Sequence, residues 1–404
     1  MPFSSPMWTV DRVVGVDPVD GGPGVSSCLI AVPYCDRARE DDLPADDRGG
    51  RPEARRPAKE KVMITVKDNS LVFAFPGVHR QARLTIEFQR TLRIPDDGED
   101  YPLPPGLGQF PLFRVEELGG GAPAKWRETG GTVLPMYQSE AMWIHFDSTY
   151  LPGRGTDYPF AVKISAGRLN AVSGEPWRRG LHRGPQDYLV VPDQPWLDGF
   201  CVERGMIRQF VAMPLGSGYS GEEQLVSGER WGGLRIAVHP MKRESFERLF
   251  PRLPRFPSRY DASPGKCFAC CQSAPSMGLA AGGRMRQEVY EDGFKLSDWD
   301  RKAALACHVH IANSLAWSAV TGTHPPLPPP TAEEYGRYGL PWFEWYDDKQ
   351  ALEGAAALAG LKSVAEIDRE RGLVSLPENA STTASRVVSL GPRAVRRRVK
   401  ELSA

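Results

Sequence analysis

Glycine and proline recur along the whole chain, and this constrains its fold more than any other feature of the sequence. The 404 residues include 41 glycines and 37 prolines, about a fifth of the chain against roughly 12% in average proteins. Because neither residue is well accommodated inside a helix, a coiled coil, a helical solenoid and a long-helix bundle are excluded. Hydrophobic residues, at 41%, can still form a core. We therefore expect a folded chain with many turns.

Short segments between these turns alternate apolar and polar residues, which is typical of β-strands. The clearest segment runs from Leu84 to Ile94, where apolar side chains at every second position, interrupted only by Arg90, would bury one face. Many short strands of this kind favour a large antiparallel β domain, sandwich- or barrel-like. Related patterns begin at Val62, Ala141, Phe160, Tyr188, Phe210 and Leu234.

Helical patterns become frequent after Pro240. Residues 242–250 predict a short amphipathic helix, residues 297–320 the longest helix of the chain, and residues 351–361 an alanine-rich helix. The expected fold class is α+β, with a large antiparallel β domain followed by a smaller helical region. Two further helix starts have capping-box spacing, Thr331 with Glu334 and Ser363 with Glu366.

These patterns divide the chain into six segments. Residues 36–61 are dominated by charge and have little to bury, so they predict a flexible insertion. The expected segments are N-terminal strands that join the β domain (1–35), the charged insertion (36–61), the β-rich domain (62–250), a linker rich in proline and cysteine (251–280), the helical region (281–375), and a tail with a short basic helix (376–404).

The charge and the absence of long apolar segments limit the partners. Lysine plus arginine equals aspartate plus glutamate, at 50 each, so no global field attracts polyanions. Nucleic acid is therefore not expected as a partner, although the basic tail at 393–400 would predict salt-sensitive binding. No apolar run is long enough to span a bilayer and no signal-peptide pattern opens the chain, which predicts a soluble, cytoplasmic protein without membrane insertion.

Cysteine and histidine residues concentrate in two segments that could hold a metal. Cys267 and Cys270 have the CxxC spacing, and Cys307 and His310 would share one face of a helix. The candidate cofactor is one zinc ion held by these four residues. Buried structural thiols are the favoured alternative, because cysteine is among the most buried residue types. On a strand, His308 and His310 would share a face instead.

Residues 216–221 match G-x-G-x-x-G, the pattern that binds a dinucleotide when it joins a strand to a long helix. The helix that should follow is interrupted by Gly228, Gly232 and Gly233. The acidic residue expected about twenty positions later is also missing. We therefore interpret this motif as a hairpin loop between two strands.

Polar and aromatic residues near the turns of the β domain form the candidate ligand site. Loops on a rigid β scaffold are where binding residues usually lie. The candidate ligand-binding residues are Gln186, Asp187, Tyr188, Trp196, Asp198, Arg208 and Gln209.

The common motifs of nucleophilic and metal-dependent enzymes are missing from the sequence. The favoured function is therefore a non-catalytic binding or assembly protein that recognises a small ligand or a protein partner through loops of the β-rich domain. The alternative is an enzyme with a cleft between the β domain and the helical region, in which the Cys/His zinc site could take part. The two hypotheses differ in whether the Cys/His residues converge beside an open cleft.

Overall fold

Strands dominate the part of the chain that the structure describes. The computed structural model describes residues 63–252, 276–345, 350–384 and 386–390. The first strands are β1 (Met63–Lys67), β2 (Ser70–Ala74), β3 (Arg83–Thr91), β4 (Asp100–Tyr101), β5 (Gly106–Gln109), β6 (Phe113–Arg114), β7 (Thr132–Met136), β8 (Ala141–Ser148), β9 (Tyr150–Leu151), β10 (Thr156–Asp157), β11 (Phe160–Ala166) and β12 (Leu169–Asn170). The later strands are β13 (Leu189–Val191), β14 (Trp196–Leu197), β15 (Gly199–Glu203), β16 (Met206–Pro214), β17 (Leu234–Pro240), β18 (Ser276–Arg286), β19 (Leu305–Asn313), β20 (Trp342–Trp345) and β21 (Val387–Leu390).

Helices in the described residues are short. The α-helices are α1 (Ala124–Thr129), α2 (Gly221–Leu225), α3 (Arg243–Leu249), α4 (Ser314–Thr321), α5 (Ala332–Arg337) and α6 (Val364–Glu370). Single 3-10 segments occur at Val115–Gly121, Leu296–Asp298, Ala356–Leu358 and Pro377–Asn379. Within the described ranges, none of these helices is both long and apolar enough to cross a membrane.

One large sheet connects most of the strands. A continuous antiparallel path runs β1–β2–β3–β8–β16–β18–β19–β17–β11–β13. Two pairings with this sheet are parallel, β4 beside β18 and β7 beside β19. The β-rich, largely antiparallel character predicted from the sequence is therefore confirmed, whereas the sandwich- or barrel-like arrangement stays a prediction.

The core lies on the face that the alternating pattern selects. On β3, Leu84, Ile86 and Phe88 are fully buried, whereas Glu87 and Gln89 project from the opposite face and are partly exposed. Because successive side chains of a strand point to opposite faces, one apolar stripe per strand is enough to build a common core. The polar residues between them are free to form a second, chemically different surface.

The helical prediction for 297–320 is wrong over most of its length. Residues Leu305–Asn313 form β19, which pairs with β17 along its first half, and the helix α4 begins only at Ser314. His308 and His310 alternate with Cys307, Val309 and Ile311 in this segment, and the β-branched Val309 and Ile311 favour a strand. Strand β18 also enters the predicted helical region, reaching Arg286.

The predicted helix at 351–361 is also wrong, because only Ala356–Leu358 forms a 3-10 turn. Gly354 has a φ of 84°, and a Cβ there would lie 2.5 Å from the Cα of Glu203. The positive φ of Gly354 is not a helical conformation, and the backbones of Gly354 and Glu203 approach closely. This segment therefore does not form a regular helix. Helix α3 within 242–250 and the capping boxes at Thr331 and Ser363 are confirmed.

Several predicted segments lie outside the described residues. These are the N-terminal strands, the charged insertion, most of the cysteine-rich linker with Cys267 and Cys270, and the basic tail after residue 390. The expectations for them stay predictions.

Candidate functional site

Polar and aromatic side chains replace apolar ones on one face of β3, β5, β8 and β14. Glu87 lies opposite His145 on β8, and His145 lies opposite Trp196 on β14, so the three form a row across three strands. The next row contains Gln109, Gln89 and Trp143. Cross-strand neighbours of this kind lie close enough for their side chains to interact. We call this surface the β3–β8 face; it consists of Glu87, Gln89, Gln109, Trp143, His145, Asp147 and Trp196.

The Glu87 carboxylate is the centre of the hydrogen bonds on this face. Its Oε2 accepts from His145 Nδ1 at 3.3 Å and from Gln89 Nε2 at 3.1 Å. The bond from His145 lowers the pKa of Glu87, against the opposing effect of burial. The Nε2 atom of His145 forms no hydrogen bond with any described residue. The side chains of His145 and Glu87 are 31% and 24% exposed, so a ligand can reach both.

Two tryptophans form an aromatic corner beside this carboxylate. The ring centroids of Trp143 and Trp196 lie 6.4 Å apart at 73°, and Trp143 also meets His145 edge-on at 5.8 Å. A Cβ at Gly106 on β5 would lie 3.3 Å from Cζ2 of Trp143, so the indole lies against the backbone of that strand. Both tryptophans are partly exposed, and the corner offers apolar ring surface beside polar atoms.

Two further carboxyl groups extend the face. Asp147 lies opposite Thr85, diagonal to Glu87, and its pKa is raised by partial desolvation and by the charge of Glu87, against the opposing charge of His145. The pKa of Asp157 on β10 is raised by desolvation and by Asp147. Three carboxyl groups in one region disfavour an anionic ligand and leave several acceptors for hydroxyl groups.

The seven predicted ligand-binding residues do not converge in the structure. Trp196 lies on the β3–β8 face. Gln186 lines a cleft of about 340 Å³ formed with residues 352–355, and Arg208 lines a separate cleft of about 340 Å³ formed by residues 359–370. The Arg208 guanidinium contacts Glu366 at 3.1 Å.

The other predicted ligand residues are buried and hydrogen-bonded within the protein. Gln209 joins two backbone groups, donating to Leu92 O at 2.8 Å and accepting from Ile94 N at 3.1 Å. The Tyr188 hydroxyl donates to Asp292 Oδ2 at 2.5 Å. Asp198 accepts from Gln287 Nε2 at 2.5 Å, and burial raises its pKa to about 7. These polar groups tie loops to the sheet.

Asp187 belongs to a buried ion pair. Its Oδ2 accepts from Lys163 Nζ at 2.5 Å and from His182 Nδ1 at 2.8 Å. The Lys163 ammonium group also donates to the carbonyl oxygens of Arg178 and Gly180 at 2.7 and 2.9 Å. All three of its donors are therefore used inside the protein. This pair fixes the loop between β12 and β13 on the sheet.

Cys307 and His310 lie on a strand, so the helical geometry that would place them on one face does not apply. Three positions apart on β19, they project to opposite faces. Cys307 is in the main core, where burial raises its pKa to about 12. His310 stacks on Trp126 at 5.0 Å, its Nε2 lies 2.9 Å from Gly130 O, and burial lowers its pKa to about 4.

A metal site does not emerge from the residues that the structure describes. Among them, no three His, Cys, Asp or Glu side chains are grouped as ligands of one ion. His308 and His310 do share a face, with ring centroids 6.1 Å apart, as the strand alternative predicts.

The glycine-rich motif encloses a carboxylate of the protein itself. The backbone amides of Gly216 and Gly218 donate to Glu223 Oε1 at 2.7 and 3.2 Å, and Ser220 Oγ donates to Oε2 at 2.7 Å. The loop joins β16 to the five-residue helix α2, which replaces the simple hairpin predicted between two strands. The donors that would receive a phosphate are already used.

Sequence reasoning missed most of the β3–β8 face. The usable signal was the outward-facing positions of two predicted strands, where Glu87 and Gln89 alternate on β3 and Trp143, His145 and Asp147 alternate on β8. Nothing in the sequence states that β3 pairs with β8 in a register that brings Glu87 to His145.

Comparison with known proteins supplies no relative. No protein-family model matches the chain, and neither the curated proteins nor the solved structures contain a match. The functional assignment therefore depends on the geometry alone.

Proposed function

We propose that the protein binds a neutral polyhydroxylated ligand, an oligosaccharide, on the β3–β8 face. The observation that carries this proposal is the row Glu87–His145–Trp196 with Trp143 beside it. Sugars present apolar C–H faces to aromatic rings and hydroxyl groups to planar polar side chains, and this face supplies both. It remains a binding protein, as the sequence favours, but the ligand lies on the sheet face rather than in the loops.

The polar groups suit hydroxyl groups better than they suit charged ligands. The Glu87 carboxylate, the two glutamine amides and the His145 ring offer donors and acceptors within one patch. The neighbouring Asp147 and Asp157 add negative charge, which repels phosphates and carboxylates. Glu87 is fixed by its bonds to His145 and Gln89, so part of the site is organised before the ligand binds.

The experiment is a titration of the full chain with soluble gluco-, manno- and xylo-oligosaccharides by isothermal titration calorimetry. We expect saturable binding to at least one of them, weakened tenfold or more by Trp143→Ala and by Trp196→Ala. The matched control is Tyr338→Ala, because Tyr338 is an aromatic residue that is 80% exposed and lies outside this face. Absence of binding in all three series, or tryptophan variants that bind with the affinity of the wild type, contradicts the proposal.

A second candidate function is hydrolysis of the same class of ligand. One observation favours it: the pKa of Glu87 is lowered whereas that of the neighbouring Asp147 is raised, and such opposed shifts distinguish a base from an acid. Reducing-end release from a bound oligosaccharide, abolished by Asp147→Asn and by Glu87→Gln, would support an enzyme. Binding without release would support the non-catalytic function.

A further inference from the structure

A second polar region lies on neighbouring strands β11, β17 and β19, outside the β3–β8 face. Ser165 on β11 lies opposite Arg235 on β17, and Arg235 lies opposite His308 on β19. These three residues therefore form a single row across the sheet. All three side chains can donate hydrogen bonds.

Two indole rings hold the guanidinium group of Arg235. Its Cζ lies 4.5 Å from the ring centroid of Trp177 and 5.1 Å from that of Trp231. Cation–π contacts with two rings restrict the orientation of the group. Its N–H donors lie at the edge of the planar guanidinium, and this edge is where a ligand would be received.

The donors of this row lack acceptors among the described residues. Arg235 forms no ion pair with any described carboxylate, and burial alone lowers its pKa. Its buried Nε has no hydrogen-bond partner, and neither has the buried Oγ of Ser165. The buried carboxylate of Asp187 does not supply the missing acceptor, because it is already paired with Lys163 and His182. A buried donor without an acceptor is costly, which makes an external acceptor favourable.

We propose that Arg235, in cation–π contact with Trp177 and Trp231, anchors a binding site for a small oxyanion, with His308 beside it. The planar guanidinium edge matches the two oxygens of a carboxylate or of a phosphate, which it can bind in a bidentate manner. This site goes beyond the proposed sugar-binding function. It uses different strands, and it takes an anionic ligand, which the carboxyl groups of the β3–β8 face disfavour.

The test is calorimetric titration of the full chain with sodium phosphate and, separately, with sodium succinate, at constant ionic strength. We expect saturable binding of at least one anion, weakened tenfold or more by Arg235→Gln. Arg204→Gln is the matched control, because Arg204 is 57% exposed and pairs with Glu353 away from this row; it should bind as the wild type does. Binding of phosphate only, or of succinate only, would identify the oxyanion.

A second pair of measurements keeps the test decisive if Arg235→Gln does not fold. Arg235→Lys keeps the charge but loses the planar fork, so we expect about tenfold weaker binding. The indole N–H signals of Trp177 and Trp231 are assigned by NMR from the Trp177→Phe and Trp231→Phe variants. These signals should shift when the anion is added, and the affinity obtained from the shifts should equal the affinity obtained by calorimetry. No saturable binding of either anion, unchanged affinity in Arg235→Lys, or shifts confined to other tryptophans would overturn the proposal.

Discussion

Asp198 should make the stability of the protein depend on pH in an unusual direction. Burial raises the pKa of its carboxyl group from 3.8 to about 7, while the bond from Gln287 opposes the shift. The folded state therefore holds this proton more tightly than the unfolded state does. The stability contributed by the group is complete below about pH 4 and is lost as the pH rises through about 7. A carboxylate in an ion pair would show the opposite trend.

The magnitude follows from the two pKa values. A shift of about three units corresponds to roughly 4 kcal/mol between the protonated and ionised forms. Asp198→Asn removes the titration, while its side-chain oxygen can still accept from Gln287. The difference in unfolding free energy, wild type minus Asp198→Asn, should therefore fall by roughly 4 kcal/mol between pH 4 and pH 8. All other titrating groups are common to both proteins and cancel.

The assay is urea unfolding followed by tryptophan fluorescence at pH 4.5, 6 and 8 for both proteins. Asp68→Asn is the control: the Asp68 side chain is 46% exposed, so its effect should stay within about 0.5 kcal/mol at every pH. A wild-type-minus-Asp198→Asn difference that varies by less than about 1 kcal/mol from pH 4.5 to pH 8 would refute the reasoning, because it would mean that the carboxyl group is not desolvated.

Three further predictions concern buried polar contacts, and urea unfolding tests each of them. Lys163→Met and Asp187→Asn should each lower the free energy of unfolding by about 3–5 kcal/mol, because each leaves the other charge buried without its partner. The double variant should lower it by less than the sum of the two single effects, and additive effects would contradict the pairing. Glu222→Ala should cost about 3 kcal/mol, because the amides of Arg168, Trp231 and Gly232 lose their acceptor; Glu229→Ala, whose side chain is 69% exposed, should cost almost nothing. Ser363→Ala should cost about 1 kcal/mol through loss of the α6 cap and Ser363→Thr much less, and equal losses would argue against capping.

The strands of the first half could be predicted because their alternating apolar pattern fits a strand and does not fit a helix. Leu84, Ile86 and Phe88 are apolar at every second position, and only a strand places all three on one buried face. The segment around β19 could not be assigned in this way, because its alternation from Cys307 to Ile311 is short and lies between Asp298 and Gly322, which have the positions of a helix start and a helix end. Its pairing with β17 decides the conformation, and that pairing joins residues about seventy positions apart.

The candidate site was less predictable than the fold, for a related reason. Polar residues near turns, such as Gln186 and Gln209, look like ligand contacts in a sequence, whereas in the structure their side chains satisfy buried backbone groups. Residues at the middle of strands, such as Glu87 and His145, look like ordinary surface positions until the register brings them together. Site prediction therefore required strand order and register, which single-sequence patterns do not contain.

Helix α2 carries two adjacent carboxylates that fill two separate sets of backbone amides, Glu223 in the glycine loop and Glu222 beside Gly232. Because each carboxylate is tethered to the amides that receive it, a dissolved anion would compete against an effective local concentration that is on the order of millimolar for even a flexible tether. Free phosphate would gain little by entering. A glycine-rich motif followed at once by glutamates can thus be occupied from within, and scanning sequences for the motif without reading the next two residues will identify anion sites that are closed to any ligand.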